Sequence, residues 1–159
     1  MKNKFIHFLL FFMCASSSWA ASGNVESTST GLLNRAEIKI GEDSYSAVNF
    51  KLIVVINKSD FSLFKSGDVL SANCVGINKN VNGNSSVEGN CLLKDASGDT
   101  YATTYERKGT MGNPGTGTQN IKGLTGKFIG MSGSCTYDVK YAQNDGMYVI
   151  TFANCKYQN

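Results

Sequence analysis

The 159-residue chain carries 15 Lys and Arg residues against 12 Asp and Glu, a formal charge of +3, with one histidine, five cysteines and a single proline. So nearly neutral a chain, without a Lys/Arg cluster, has no counterion-release drive towards nucleic acid or anionic lipid. Its length suits one domain around one modest core, and no proline-rich linker divides it.

Residues 1–20 begin with Lys2 and Lys4, run apolar from Phe5 to Ala15, and end with small residues at Ser18 and Ala20. This is the pattern of a cleaved signal peptide, so the mature chain is expected to be exported, periplasmic or secreted. The apolar run is too short for a membrane span, and no later segment approaches the required length. Cleavage removes two lysines, leaving thirteen basic residues against twelve acids, and the formal charge falls from +3 to +1. It also removes His7, so no imidazole remains for a Ser-His or Cys-His pair or for the usual zinc sites. No metal or cofactor is implied. With Cys14 gone, Cys74, Cys91, Cys135 and Cys155 remain, an even set that in an exported chain reads as two disulfides with three connectivities.

Residues 21–33, rich in Ser, Thr and Gly, read as a flexible leader, and residues 34–159 as a β-barrel domain. Apolar and aromatic residues alternate over short stretches, as in Phe50, Leu52, Val54 and Ile56, and no stretch keeps helical spacing over three turns. Strands are predicted near 34–40, 46–57, 68–78, 85–95, 99–107, 115–121, 126–132, 133–141 and 147–157. The expected fold is all-β: a single small antiparallel barrel of about eight strands, stapled by two disulfides.

Turn chemistry tests the cysteine pairing. Asn82-Gly83 suits a two-residue type I′ hairpin, whose central residues both need positive φ. Cys74 lies eight residues before Asn82 and Cys91 eight after Gly83, so they face each other, at a non-hydrogen-bonded site where side chains come closest. Asn144-Asp145-Gly146 suits a three-residue hairpin, and Cys135 and Cys155 each lie ten residues from its centre. Both registers favour the bridges 74–91 and 135–155.

A turn at Ala96-Ser97-Gly98 extends the first register and sets Leu93 against Tyr101 and Gly89 against Tyr105. One face then carries Leu70, Ala72, Cys74, Val87, Cys91, Leu93, Tyr101 and Tyr105. The last hairpin supplies Cys135, Tyr137, Val139 and Tyr141 with Val149, Thr151, Ala153 and Cys155. If both faces point inward, Tyr101, Tyr105, Tyr137 and Tyr141 project into one barrel, where tyrosine serves a packed core and a ligand pocket equally well. The opposite face, with Tyr148, Ile150 and Phe152, calls for cover by the leader or by another subunit. Arg107 and Lys108 read as a solvated strand end. Asp95, Ser97 and Asp99 alternate like the start of a calcium loop, but glycine comes at the fourth place rather than the sixth, which favours a plain Asx turn.

The stretch Lys122 to Cys135, KGLTGKFIGMSGSC, has no Ser or Thr after Lys127 and no helix signal, so it is not a phosphate cradle. Phe128, Ile129 and Met131 are too apolar for a linker. Gly123, Gly126, Gly130 and Gly133 therefore read as structural, in a strand bent by glycine. The run resembles the glycine-rich strand pair of allene oxide cyclase-like and dirigent-like barrels, in particular small exported bacterial proteins of that type. The resemblance spans about the last two thirds of the chain and implies an eight-stranded barrel holding a hydrophobic substrate, without transferring any catalytic residue. Ser97-Gly98-Asp99-Thr100-Tyr101 is similar to the SGxxY loop of periplasmic lysozyme inhibitors, which implies a protein partner. The expected function is binding of a small apolar or amphipathic ligand, with a protein-binding inhibitor or a histidine-free isomerase or cyclase as alternatives.

Overall fold

The computed structural model describes residues 21–110, 112–142 and 148–159. Eight strands, β1 (Ser22–Ile40), β2 (Asp43–Ser59), β3 (Val69–Val81), β4 (Asn84–Lys94), β5 (Thr100–Lys108), β6 (Gly115–Gly123), β7 (Ser132–Tyr141) and β8 (Tyr148–Gln158), form a closed antiparallel barrel. Each strand pairs with its chain neighbours, and β8 closes on β1. Closure pairs the strands on both sides around the barrel, while residues 33–40 of β1 run on past β8 and are paired with β2 alone among the described residues. Residues 1–20 and the loop 144–146 lie outside the described residues.

The two predicted registers are present. β3 and β4 turn at Asn82 and Gly83, with φ of 51° and 75°, and Cys74 lies opposite and bonded to Cys91. β7 and β8 set Cys135 opposite and bonded to Cys155. The predicted inner face points inward: Leu70, Ala72, Cys74, Val87, Leu93, Tyr101 and Tyr105 are buried, as are Cys135, Tyr137, Val139, Val149 and Cys155.

Two predicted segments differ. Residues 22–33 are no leader but the first part of β1, paired with both β2 and β8. Val25, Ser29 and Leu33 are buried on its inner side, and a side chain at Gly31 would put its Cβ 2.0 Å from the Lys51 carbonyl oxygen. At Gly31 the constraint is the close approach of the β2 backbone. The leader therefore cannot cover the outer face of β8, where Tyr148 and Phe152 are exposed alongside Leu32 and Ile53 of β1 and β2. The outward residues of β6 and β7, among them Thr116, Thr118, Asn120, Asp138 and Lys140, are polar and exposed. A wall immersed in lipid would need an apolar band all round.

The second difference is 126–132, which forms a tight connection rather than a strand. A 3₁₀ turn, Gly126–Phe128, is followed by a return to β7, with Phe128 and Met131 turned completely inside. Gly126 and Gly130 adopt φ of +55° and +88°, which L-residues rarely accept. At Gly123 and Gly133 the constraint is close backbone approach: a Cβ would lie 1.5 Å from the Phe128 carbonyl oxygen and 2.5 Å from that of Lys156. The glycines bend a loop so that it can seal the barrel. Phe128 meets Tyr101 and Phe64 with ring centroids 5.1 and 5.4 Å apart, and Phe61 stacks on Tyr157 at 5.4 Å. This aromatic plug closes the lower end, where the β2–β3 and β6–β7 connections and both described ends of the chain gather.

The 95–99 turn is tied to the same loop. Asp95 Oδ1 accepts hydrogen bonds from the backbone N–H of Ser97 and Asp99, an Asx turn, and Lys127 Nζ lies 2.8 Å from Asp95 Oδ2. Among the described residues no group of three or more His, Cys, Asp or Glu is placed to hold a metal ion.

Replacing Cys74 and Cys91 together by alanine is expected to cost about 2–4 kcal/mol in urea unfolding, through the lost constraint on the unfolded chain. Equal stability of the variant and wild type would contradict this.

Partial desolvation pushes the Asp95 carboxyl up, but hydrogen bonds from Lys127, Ser97 and the Asp99 N–H outweigh it and hold the carboxyl down at about 2, against an ordinary value of 3.8. A folded-state value below the unfolded one stabilises the fold fully above the unfolded pKa, and that contribution is lost as pH falls through about 2. Lys127→Met should therefore raise the Asp95 titration midpoint and shift acid unfolding to higher pH. Carboxyl-carbon NMR titration reads the first and circular dichroism the second.

Candidate functional site

Above the aromatic plug the barrel is not filled. A space of about 70 Å³ lies among Phe50, Tyr105, Tyr137, Tyr141, Arg107 and Gln119, with the walls completed by aliphatic side chains and the Cys74–Cys91 bridge. A second space of about 50 Å³ lies beneath it, between Tyr101, Tyr157, Thr103 and Leu93, and the two share Ser29, Leu52, Cys91, Gln119 and Thr151 as lining.

Of the four tyrosines predicted to line a pocket, Tyr105, Tyr137 and Tyr141 meet at the upper space. Tyr101 does not, because it stands four residues lower on β5 and packs into the plug. Tyr157 joins it there and was not among the predicted site residues, although it lies on the same alternating face as Cys155.

The ring positions depend on glycines in the wall. Tyr105 is paired with Gly89 of β4, itself paired with Gly76 of β3, and its hydroxyl lies 2.4 and 2.3 Å from where Cβ atoms of these residues would stand. The phenol reaches across both strands towards the Val75 carbonyl, 3.4 Å away. Tyr137 repeats the arrangement over Gly117, its hydroxyl 3.4 Å from the Glu106 carbonyl oxygen. Bonds this long are weak, so packing over glycine does most to fix the rings. Burial pushes the phenols up: Tyr105 lies well above the ordinary value, and Tyr137 rises to about 12 despite the opposing influence of the Arg107 guanidinium. Both remain protonated at physiological pH.

Arg107, read from sequence as a solvated strand end, is 5% exposed. Continuing the inward alternation of Tyr101, Thr103 and Tyr105 places it at the top of the space. Its Nη1 donates to the Asn113 carbonyl at 2.8 Å and its Nη2 to the Thr110 carbonyl at 2.9 Å, holding the β5–β6 connection over the barrel. That alternation on β5 was the signal for Arg107. Gln119 has the analogous place on β6, opposite Tyr105.

The chamber thus combines an apolar wall, phenols, the hydroxyls of Ser29 and Thr151, one amide and one guanidinium. The buried polar and charged residues, Ser29, Ser46, Asn78, Thr103 and Arg107, include no carboxylate. The arrangement can orient and neutralise a guest, but among the described residues no buried acid-base pair is available to move a proton. No protein-family model matches the chain, and no curated protein is significantly similar to it.

Tyr137→Phe keeps the ring over Gly117 and removes only a long hydrogen bond, so it should cost at most about 1 kcal/mol. Gly117→Ala places a Cβ 2.4 Å from the ring carbon that bears the hydroxyl and should cost about 1–3 kcal/mol by overpacking. Urea unfolding followed by tyrosine fluorescence compares the two. The reverse order of costs would show that the hydroxyl, not the glycine gap, holds the ring.

Proposed function

We propose that this is an exported barrel protein whose upper chamber binds a small amphipathic molecule. The observation that carries the reading is the convergence of Arg107, Gln119 and the tyrosines of β5 and β7 on an otherwise apolar space inside the barrel. Functional pockets combine these features, an apolar lining with a few polar groups that orient the guest. At about 70 Å³ the space is well below the size of a drug-like site, which confines the guest to a small molecule. Two disulfides suit an oxidising compartment, in keeping with export directed by residues 1–20.

The resemblance to allene oxide cyclase-like and dirigent-like barrels points the same way, since those proteins hold a substrate inside the barrel. The protein-inhibitor alternative draws less support. It calls for a 95–99 loop that stands clear of the barrel, whereas this turn is bonded internally and tied down by Lys127. An isomerase or cyclase would need a group able to exchange protons, and the phenols of Tyr105 and Tyr137 are shifted away from that role.

A thermal-shift screen of small amphipathic compounds tests the proposal, because binding to the native state alone raises apparent stability by mass action. Compounds that stabilise the wild type should stabilise a Val139→Trp variant, whose chamber is filled, much less. If no compound stabilises the wild type, or if filling the chamber leaves every shift unchanged, the chamber is not the site.

A further inference from the structure

Arg107 has a charge that the chamber does not balance. Its guanidinium cannot shed its proton at any ordinary pH, and a buried charge is costly unless paired. Among the described residues two backbone carbonyls accept its hydrogen bonds, and they solvate the cation without neutralising it. The ion pairs among the described residues, Arg35 with Glu37, Glu26 with Lys58, Lys79 with Glu88 and Asp95 with Lys127, leave Arg107 without a carboxylate. Its strand neighbour Glu106 points to the opposite, outer side and is exposed.

The space beside it has a definite size. A water-sized group needs about 10–15 Å³ of such volume, so about 70 Å³ accommodates roughly five to seven non-hydrogen atoms. Apart from Gln119 and the mutually hydrogen-bonded hydroxyls of Ser29 and Thr151, the lining is apolar, formed by Phe50, Val87, Val139 and Val149 with the faces of the tyrosines.

We propose that the chamber takes a short-chain monocarboxylate, with its carboxylate on Arg107 and its alkyl chain against Phe50, Val139 and Val149. One cation balances one negative charge, whereas a phosphate dianion would bring an uncompensated charge into the same apolar space. The planar guanidinium also matches a carboxylate in shape. This inference rests on the reading of the chamber as a binding site, and its test separates the two.

Isothermal titration of the full mature protein with butanoate, pentanoate and octanoate is set against butanamide and butan-1-ol. Butanoate or pentanoate should bind at least about tenfold more tightly than the neutral compounds, as loss of a hydrogen-bonded charge pair implies. Octanoate should bind more weakly than pentanoate. In Arg107→Gln the preference for the acid should vanish while binding of butan-1-ol persists. If that variant fails to fold, the acid-against-amide comparison on wild type decides alone. Equal affinities for butanoate and butanamide would overturn the inference and leave the chamber a binding site for neutral guests. Octanoate binding best would overturn the size limit. Binding of none of the five compounds would overturn the inference and the chamber reading together.

Discussion

The interior of this barrel is organised by tyrosines lying across glycines. An eight-stranded barrel is only just wide enough for its own side chains, so a large inward residue on one strand requires a near-absence on the next. Tyr105 facing Gly89 and Tyr137 facing Gly117 are the clear cases. Tyr101 also faces Gly123 and Tyr157 faces Gly133, where close backbone approach demands glycine as well. At Gly89 and Gly117 any Cβ would overlap a phenol ring or hydroxyl, and at Gly133 it would lie 3.3 Å from the Tyr157 ring. A ring over a glycine covers backbone that would otherwise be poorly packed, a recognised way of stabilising glycine within a sheet. The glycines weaken their strands by entropy, and ring burial offsets this.

From that packing the two ends of the barrel diverge. At the lower end Tyr101 and Tyr157 are met by Phe61, Phe64 and Phe128, carried in on two loops, and five rings fill the cross-section. The Asp95–Lys127 contact matters here because it ties the loop that carries Phe128 to the neighbouring turn. At the upper end no loop brings rings inward among the described residues. Tyr105 and Tyr137 lie back against the walls over their glycines, and the volume left along the axis is the chamber. The chamber is thus a consequence of where rings are drawn aside, and Arg107 stands at its top, bonded to Thr110 and Asn113.

Local chemistry made much of this legible. Asn82-Gly83 set one register and with it a disulfide and the inward face of three strands; period-two alternation then placed Tyr105 and Tyr137 inside. What was not legible depended on the opposite wall. Val25, Ser29, Gly31 and Leu33 make a poor strand pattern on their own, because a register shift between Glu26 and Ser27 breaks the alternation and Gly31 is dictated by the backbone of β2, which comes later in the sequence. Residues 126–132 look like a strand by composition, yet positive φ at Gly126 and Gly130 turns them into a plug loop. Arg107 was discounted on residue type alone: charged residues at strand ends are usually solvated, and only the backbone carbonyls of the next loop make its burial tolerable.

The electrostatics of the chamber follow from the same burial. Desolvation raises the phenols of Tyr105 and Tyr137, so neither becomes an anion able to pair with Arg107 near neutral pH. Tyr137 is held back from a larger rise by the guanidinium itself, which places the two groups within electrostatic reach. The phenols therefore act as neutral walls, and Arg107 supplies the chamber's charge at every pH where the fold survives. A guest carrying a carboxylate would meet this charge in surroundings of low polarity, where charge-assisted bonds are strongest. A neutral guest would gain only apolar contact. The same low polarity makes an unpaired Arg107 costly, so the proposed preference for an acid and the cost of burying the guanidinium have one physical origin.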